Sequence, residues 1–321
     1  MVSVKRSSSL MKGWGRKAAL GMTIDEDGIR IVRFNPKLGT VEGTDMLPLP
    51  SLFDEDGVQG ISSHVEAVKQ WVHKSGLAGS RVHLSAPTSQ SFIRLIRVPK
   101  AKGKQLRQVT ELEVESSIRF PFEDPIVDYY WFDDDGSEEG TIRAFVAAVP
   151  HSIVKEAVTV LELAGLQVAS VDLATIALER ILKQQNLLAS DCLMAVNFKL
   201  KEAEVYLYHR GIPDFIRTFP LEPMSEDNLN TWRYGEIVSS VTRIMNFYEF
   251  TLHDGNERIK EIMITGNAPD KSMILNQMNE AFSEVAVSEI DLSSYFSDPD
   301  LSNRDSYAIA LGLALRGGKG R

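Results

Sequence analysis

Apolar and polar residues alternate along the chain in short, well-separated runs. Residues 18–24 form one apolar run, and 29–34 form a second that is rich in β-branched residues. Between them stands Asp25-Glu26-Asp27-Gly28, a cluster that favours a tight turn. The two runs therefore predict a β-hairpin over 18–34. A helix is predicted at 65–74 and a strand at 81–85. A further strand at 92–98 is stopped by Pro99. Leu106, Val109 and Leu112, three apart, mark a helix face in a segment that closes at Phe120-Pro121-Phe122. Strands follow at 126–132 and 141–149. Ile153, Val154, Ala157, Leu161 and Ala164 give an amphipathic helix, with Gly165 at the expected C-cap. Asp172 opens a second helical run over 173–182.

The pattern restarts near residue 191. Strands are predicted at 192–198, 204–209 and 215–219. Ile237, Val241, Ile244 and Tyr248 then form a helical stripe. A short strand at 262–265 ends in Gly266, and a last helix covers 306–315. The order strand-turn-strand, strand, helix thus occurs twice, from about residues 18 and 191. The two halves share this pattern without residue-level identity.

Length and composition agree with a two-lobed globular protein. The chain has 321 residues, 43% hydrophobic and 25% charged, enough apolar material for a sizeable core. Its net charge of −9 argues against general nucleic-acid binding, which needs a basic surface. No segment reaches the roughly 18 apolar residues of a transmembrane helix. A single cysteine, Cys192, excludes an intramolecular disulfide and any all-cysteine metal site, and fits a reducing cytoplasm. Its apolar setting reads as a small buried hydrophobe. The first 17 residues carry Lys5, Arg6, Lys12, Arg16 and Lys17 and no acid. They read as a frayed tail, with a weak tether to anionic lipid as the functional alternative. The acidic stretch at 133–139 lacks the alternating ligands of a calcium loop and reads as a solvated hairpin tip.

No phosphate loop, dinucleotide fingerprint or nucleophile elbow occurs. The six histidines form no ligand pair of the His-Glu-x-x-His kind. No catalytic or metal-binding residue is therefore assigned.

Several segments, in order, resemble one family. Ser85-Ala86-Pro87 leads into Phe92-Ile93-Arg94-Leu95-Ile96-Arg97-Val98-Pro99. Glu111 to Phe122 contains Glu115, Ile118 and Phe120-Pro121-Phe122, and Asp128-Tyr129 follows. Ala164-Gly165-Leu166, Val171-Asp172, Phe247-Tyr248-Glu249 and Ala310-Leu311-Gly312-Leu313-Ala314-Leu315-Arg316 complete the series. Together they resemble the PilM family of type IV pilus assembly, which is related to FtsA.

The resemblance implies an α/β actin-like ATPase fold of the actin, Hsp70 and hexokinase type. Its first lobe would span 18–88 and 165–190, with an α+β subdomain inserted at 89–164. The second lobe would span 191–316, between tails at 1–17 and 317–321. It also implies a cytoplasmic protein peripheral to the inner membrane. Its partners would be the cytoplasmic tail of a PilN-like membrane protein and other pilus assembly proteins. Arg94, Arg97, Ile118, Phe120 and Phe122 are then candidates for the tail site.

In that fold ATP sits with Mg²⁺ between the lobes. The family's Gly-Ile-Asp-Ile-Gly aligns with Gly21-Met22-Thr23-Ile24-Asp25. Thr23 replaces the metal-orienting Asp, and Asp25 replaces a phosphate-loop glycine. In the second hairpin Asn197 and Lys199 replace Asp and Gly. The adenosine-side loop retains only Gly266, followed by Asn267. A carboxylate about 4 Å from a phosphate costs roughly 4 kcal/mol at an effective dielectric of about 20. That is roughly a thousandfold in affinity. Asp25 would supply this repulsion, with Lys199 offsetting part. The expectation is a scaffold with a degenerate nucleotide site, in which ATP hydrolysis is disfavoured and weak binding stays open. The alternatives are a nucleotide-switched ATPase of the same fold and the cytoplasmic L-type component of a type II secretion system.

Overall fold

The structure is a computed structural model that describes residues 18–49, 60–132, 140–225, 228–268, 270–298, 301 and 303–318. The expected basic tail at 1–17, the tip at 133–139 and most of the tail at 317–321 lie outside the described residues.

The first lobe opens with β1 (Ala19–Asp25), β2 (Gly28–Asn35) and β3 (Thr40–Pro48), then α1 (Gly60–Lys74) and β4 (Arg81–Ala86). The hairpin forms where the two apolar runs meet the acidic turn, and Asp25 pairs with Gly28. The chain then leaves the lobe through β5 (Phe92–Pro99), α2 (Lys104–Ser117), β6 (Pro125–Phe132) and β7 (Thr141–Pro150). It returns with α3 (His151–Leu163), β8 (Gln167–Leu173) and α4 (Ala174–Gln184). Gly165 ends the α3 region at φ +93°, the left-handed position that a glycine cap supplies.

The second lobe consists of β9 (Cys192–Phe198), β10 (Glu202–His209), β11 (Ile212–Pro220), β12 (Pro223–Ser225), β13 (Asn228–Trp232), α5 (Tyr234–Asn246), β14 (Glu261–Gly266), α6 (Lys271–Ala281) and β15 (Ala286–Glu289). The last helix, α7 (Ala308–Gly318), crosses back to the first lobe.

The two main sheets have the same plan. One runs β3-β2-β1-β4-β8 and the other β11-β10-β9-β14-β15. In each, three antiparallel strands are extended by two parallel ones. The duplication read from the sequence is therefore a duplication of topology.

A shared core joins the lobes. Ala177, Leu178 and Ile181 of α4 and Ala310, Leu311 and Ala314 of α7 pack with Leu193 and Ala195 of β9 and with Tyr206 and Tyr208 of β10. Two glycines allow the close approach. A Cβ at Gly21 would lie 1.9 Å from the Ala310 carbonyl oxygen, and one at Gly312 would lie 2.1 Å from that of Ala177.

The inserted sheet runs β5-β7-β6. Helix α3 packs elsewhere. Ala157, Val160 and Leu161 join Val68, Trp71 and Val72 of α1 and Leu20 and Met22 of β1 in the first-lobe core. An insert drawn as far as residue 164 would therefore take in a first-lobe helix, because α3 buries its apolar face against α1.

Candidate functional site

Two concave regions compete for function. The first is the cleft between the lobes. Residues from both hairpins meet there: Thr23 and Asp25 at the end of β1, Asn197 at the end of β9, and Lys199 in the following turn, with Gly266 closing β14 and Asn267 just after it. The structure thus brings together six of the seven expected nucleotide-site residues. Gly21 is the exception. It lies under α7, where only a hydrogen can stand.

The cleft is filled by its own charges. Lys199 Nζ lies 3.1 Å from Asp25 Oδ1, 2.6 Å from Glu204 Oε1 and 3.7 Å from Glu202 Oε1. Arg30 Nη1 reaches Asp25 Oδ2 at 3.3 Å, and the same guanidinium holds Asp27. Thr23 Oγ1 donates to Asp25 Oδ2 at 3.0 Å, and Asn197 Nδ2 donates to Glu204 Oε2 at 2.8 Å. Tyr206 OH also donates to Glu204. Arg30, Glu202 and Glu204 were not singled out from the sequence. For the two glutamates the signal is the alternation Glu202, Glu204, Tyr206, Tyr208, which puts polar tips on one face of β10 and Val205 and Leu207 on the other, whereas Arg30 on β2 carries no such signal.

These contacts set the protonation states. Burial acts to raise the Asp25 carboxyl, but Lys199 and Arg30 outweigh it and hold it below its ordinary value. Burial acts to lower Lys199, and Glu204, Asp25 and Glu202 hold it well above its ordinary value. At Glu202 burial wins, with Glu204, Glu26 and Asp25 adding to it, and the carboxyl is pushed up to about 7. The repulsion expected of Asp25 toward phosphate is therefore largely cancelled by Lys199 and Arg30. What stands against a phosphate here is that Lys199 is already satisfied by carboxylates. Gly266, at φ +92°, packs its backbone against Phe198, and the Asn267 N–H donates to the Phe198 carbonyl at 2.6 Å. The remaining cavity is about 30 Å³, room for one or two waters. As arranged, these residues do not fit a magnesium-bound triphosphate.

The second region is a groove between the inserted sheet and the first lobe, with a volume of about 380 Å³. That is within the size range of ligand sites. Ile126 and Tyr130 of β6 form one wall, and Val171 and Leu173 of β8 the other. Ile126 and Tyr130 are about 40% exposed, which is high for side chains of their size. Both β6 and β8 are edge strands of their sheets. At one end, the Asp172 carboxylate is held by Arg180 and, at 3.0 Å, by Arg316 Nη1.

The five residues expected at the tail site lie outside this groove's lining. Ile118 is buried with Val114 of α2 against Val146, and Phe120 packs beside it. Phe120 meets Phe92 edge-on and stacks on Phe122. These rings close α2 onto the far face of the inserted sheet. Arg94 is exposed on that same face, and Arg97 is exposed near the end of β5. The groove escaped the sequence reading because segments far apart in the chain, around residues 86, 126–130, 145–154, 171–180 and 316, build it together.

The family model described as type IV pilus assembly protein PilM matches residues 21–211, more than half of the chain. The solved structure titled "PilM-PilN type IV pilus biogenesis complex" superposes with a TM-score of 0.76 at 18% identity. The alignment covers 95% of this chain and 100% of that one. The ethanolamine utilization protein EutJ of Carboxydothermus hydrogenoformans aligns with a TM-score of 0.49 at 10% identity, over 93% of this chain and 89% of its own. The cytoplasmic domain of EpsL, an inner-membrane component of the type II secretion system of Vibrio cholerae, gives 0.48 at 11%, over 93% of each chain. No curated protein matches the sequence. The duplicated sheets and the inserted subdomain are those of an actin-like fold.

Proposed function

The chain belongs to the PilM family of type IV pilus assembly proteins, and from that premise we propose that it is a scaffold that holds the extended cytoplasmic tail of a PilN-like membrane protein. The tail lies in the groove between β6 and β8. The observation that carries this reading is the contrast of volumes, about 380 Å³ in the groove against about 30 Å³ in the cleft. An extended peptide can add main-chain hydrogen bonds to an edge strand while its alternate side chains enter apolar pockets. Ile126, Tyr130 and Leu173 supply the apolar wall, and Arg180 and Arg316, both paired with Asp172, give one end a polar boundary.

In this reading the nucleotide site is degenerate. The Lys199 ion pairs take the place where phosphate binds in active relatives of the fold, and the chain hydrolyses no ATP. The protein works at the cytoplasmic face of the inner membrane because its partner's span anchors it there. Among the described residues, no helix is long and apolar enough to cross a membrane.

Calorimetry with a synthetic PilN-like tail tests the groove. The parent protein should bind the tail, and Ile126→Asp combined with Tyr130→Asp should weaken binding about tenfold or more. Arg94→Glu with Arg97→Glu should leave it unchanged. Unaltered binding by the groove variant would move the site elsewhere. ATP with Mg²⁺ in the same calorimeter should give no heat at millimolar concentration at two temperatures.

A further inference from the structure

Cys192 opens β9 and His209 closes β10, and the two are directly opposed across the antiparallel ladder. Directly opposed residues place their side chains on one face of the sheet. Glu257 reaches the same point from the segment before β14. His209 Nε2 lies 3.2 Å from Glu257 Oε1, and Cys192 Sγ lies 3.7 Å from Glu257 Oε2. One ligand-type atom from each of the three lies within 4.8 Å of the others. A tetrahedral zinc ion with bonds of about 2.0–2.3 Å separates its ligand atoms by roughly 3.3–3.6 Å.

We propose that this cluster is a metal site for a zinc-class divalent ion, bound by Cys192 Sγ, His209 Nε2 and the Glu257 carboxylate. The mixed sulfur, nitrogen and oxygen set suits zinc or cobalt and disfavours magnesium and calcium, which take oxygen ligands. His209 Nε2 is shielded from water and makes no hydrogen bond, although a carboxylate is close by. His253 stands beside the cluster, with its ring 5.5 Å from that of His209. It is engaged instead by Asp214, at 3.0 Å, which also accepts from Tyr248 OH. The protein therefore supplies three ligands, and water takes the fourth position. The opening lies on the Glu257 side, since the Glu257 side chain is 22% exposed, that of His209 is 12% exposed and Cys192 is fully buried. Burial, with Glu257 alongside, pushes the Cys192 thiol up to about 12 in the bare site. Binding must displace that proton to form the thiolate.

The site lies one strand length, about 20 Å, along β9 from Lys199. It belongs to neither the cleft nor the groove and does not depend on the tail reading. An ion there would tie the ends of β9 and β10 to the chain between α5 and β14.

The experiment is a cobalt titration of the full chain, free of any histidine tag, followed by absorbance. Cys192 is the only cysteine, so a thiolate-to-cobalt charge-transfer band can come from nowhere else. The expected result is a band that saturates at one equivalent and is erased by zinc. Cys192→Ser should abolish it, and His209→Gln and Glu257→Gln should each weaken cobalt binding by at least about tenfold. Circular dichroism checks that each variant is folded, and if His209→Gln is not, Glu257→Gln decides. No band from the folded parent at excess cobalt would overturn the proposal. So would a band whose midpoint is unmoved in the folded variants.

Discussion

Lys199 belongs to the second lobe, and its main ionic partner across the cleft, Asp25, belongs to the first. It is buried among three carboxylates, so its charge is what makes theirs tolerable. Removing one partner of a buried ion pair leaves an uncompensated charge and costs about 3–5 kcal/mol. Lys199→Met should lower stability by that order in chemical denaturation. Adding Asp25→Asn should restore part of it. Glu202 titrates in the opposite sense to Asp25. The folded chain keeps the Glu202 proton up to about pH 7, and the unfolded chain releases it near the ordinary 4.5. Between those values the folded state binds more protons, so this residue makes stability fall as pH rises. Glu202→Gln removes the liability. Its melting temperature should exceed the parent's near pH 8 and approach it near pH 4. An equal gain at both would show that proton linkage is not the cause.

At the scale of elements, the helix pair α4 and α7 joins the lobes, and its packing rests on two positions without side chains. A Cβ at Gly21 would meet the backbone of α7, and one at Gly312 the backbone of α4. Backbone cannot move aside as a flexible side chain can. Gly21→Ala and Gly312→Ala should each cost about 3 kcal/mol, the upper end of overpacking. Gly43, with open space around it, is the control, and Gly43→Ala should change little. The elements also show which structure the sequence made legible. Strands β1, β2, β9 and β10 were visible because they are apolar and lie inside the sheets. Strands β3 and β15 were not, because at the sheet edge they are half exposed and lose the apolar run, which the edge strands β5, β6 and β11 keep. Strand β8 and helix α6 were also missed, and β8 lines the groove. In the cleft, Thr23, Asp25, Asn197 and Lys199 were named only through the family resemblance, by the motif positions they occupy. Glu204 and Arg30 were not visible, because their roles come from ion pairs that form only in the folded hairpins, with Lys199 and with Asp25 and Asp27.

At the scale of the whole molecule, the proposed partner binding lies in the groove and the ion-paired closure in the cleft. Two edge strands, β6 and β8, face an open apolar groove, while the cleft that gives the fold its usual activity is occupied by ion pairs. The inserted sheet is what creates the groove, so the departure from a plain two-lobed fold is where the proposed function sits. The most direct measurement is hydrogen–deuterium exchange of the full chain with and without a PilN-like tail peptide. Slowed exchange is expected along Pro125–Phe132 and Gln167–Leu173, with no change at the cleft turns around Asp25 and Lys199. Protection centred on those turns or on the α2 face near Phe120, with β6 and β8 unaffected, would contradict binding in the groove.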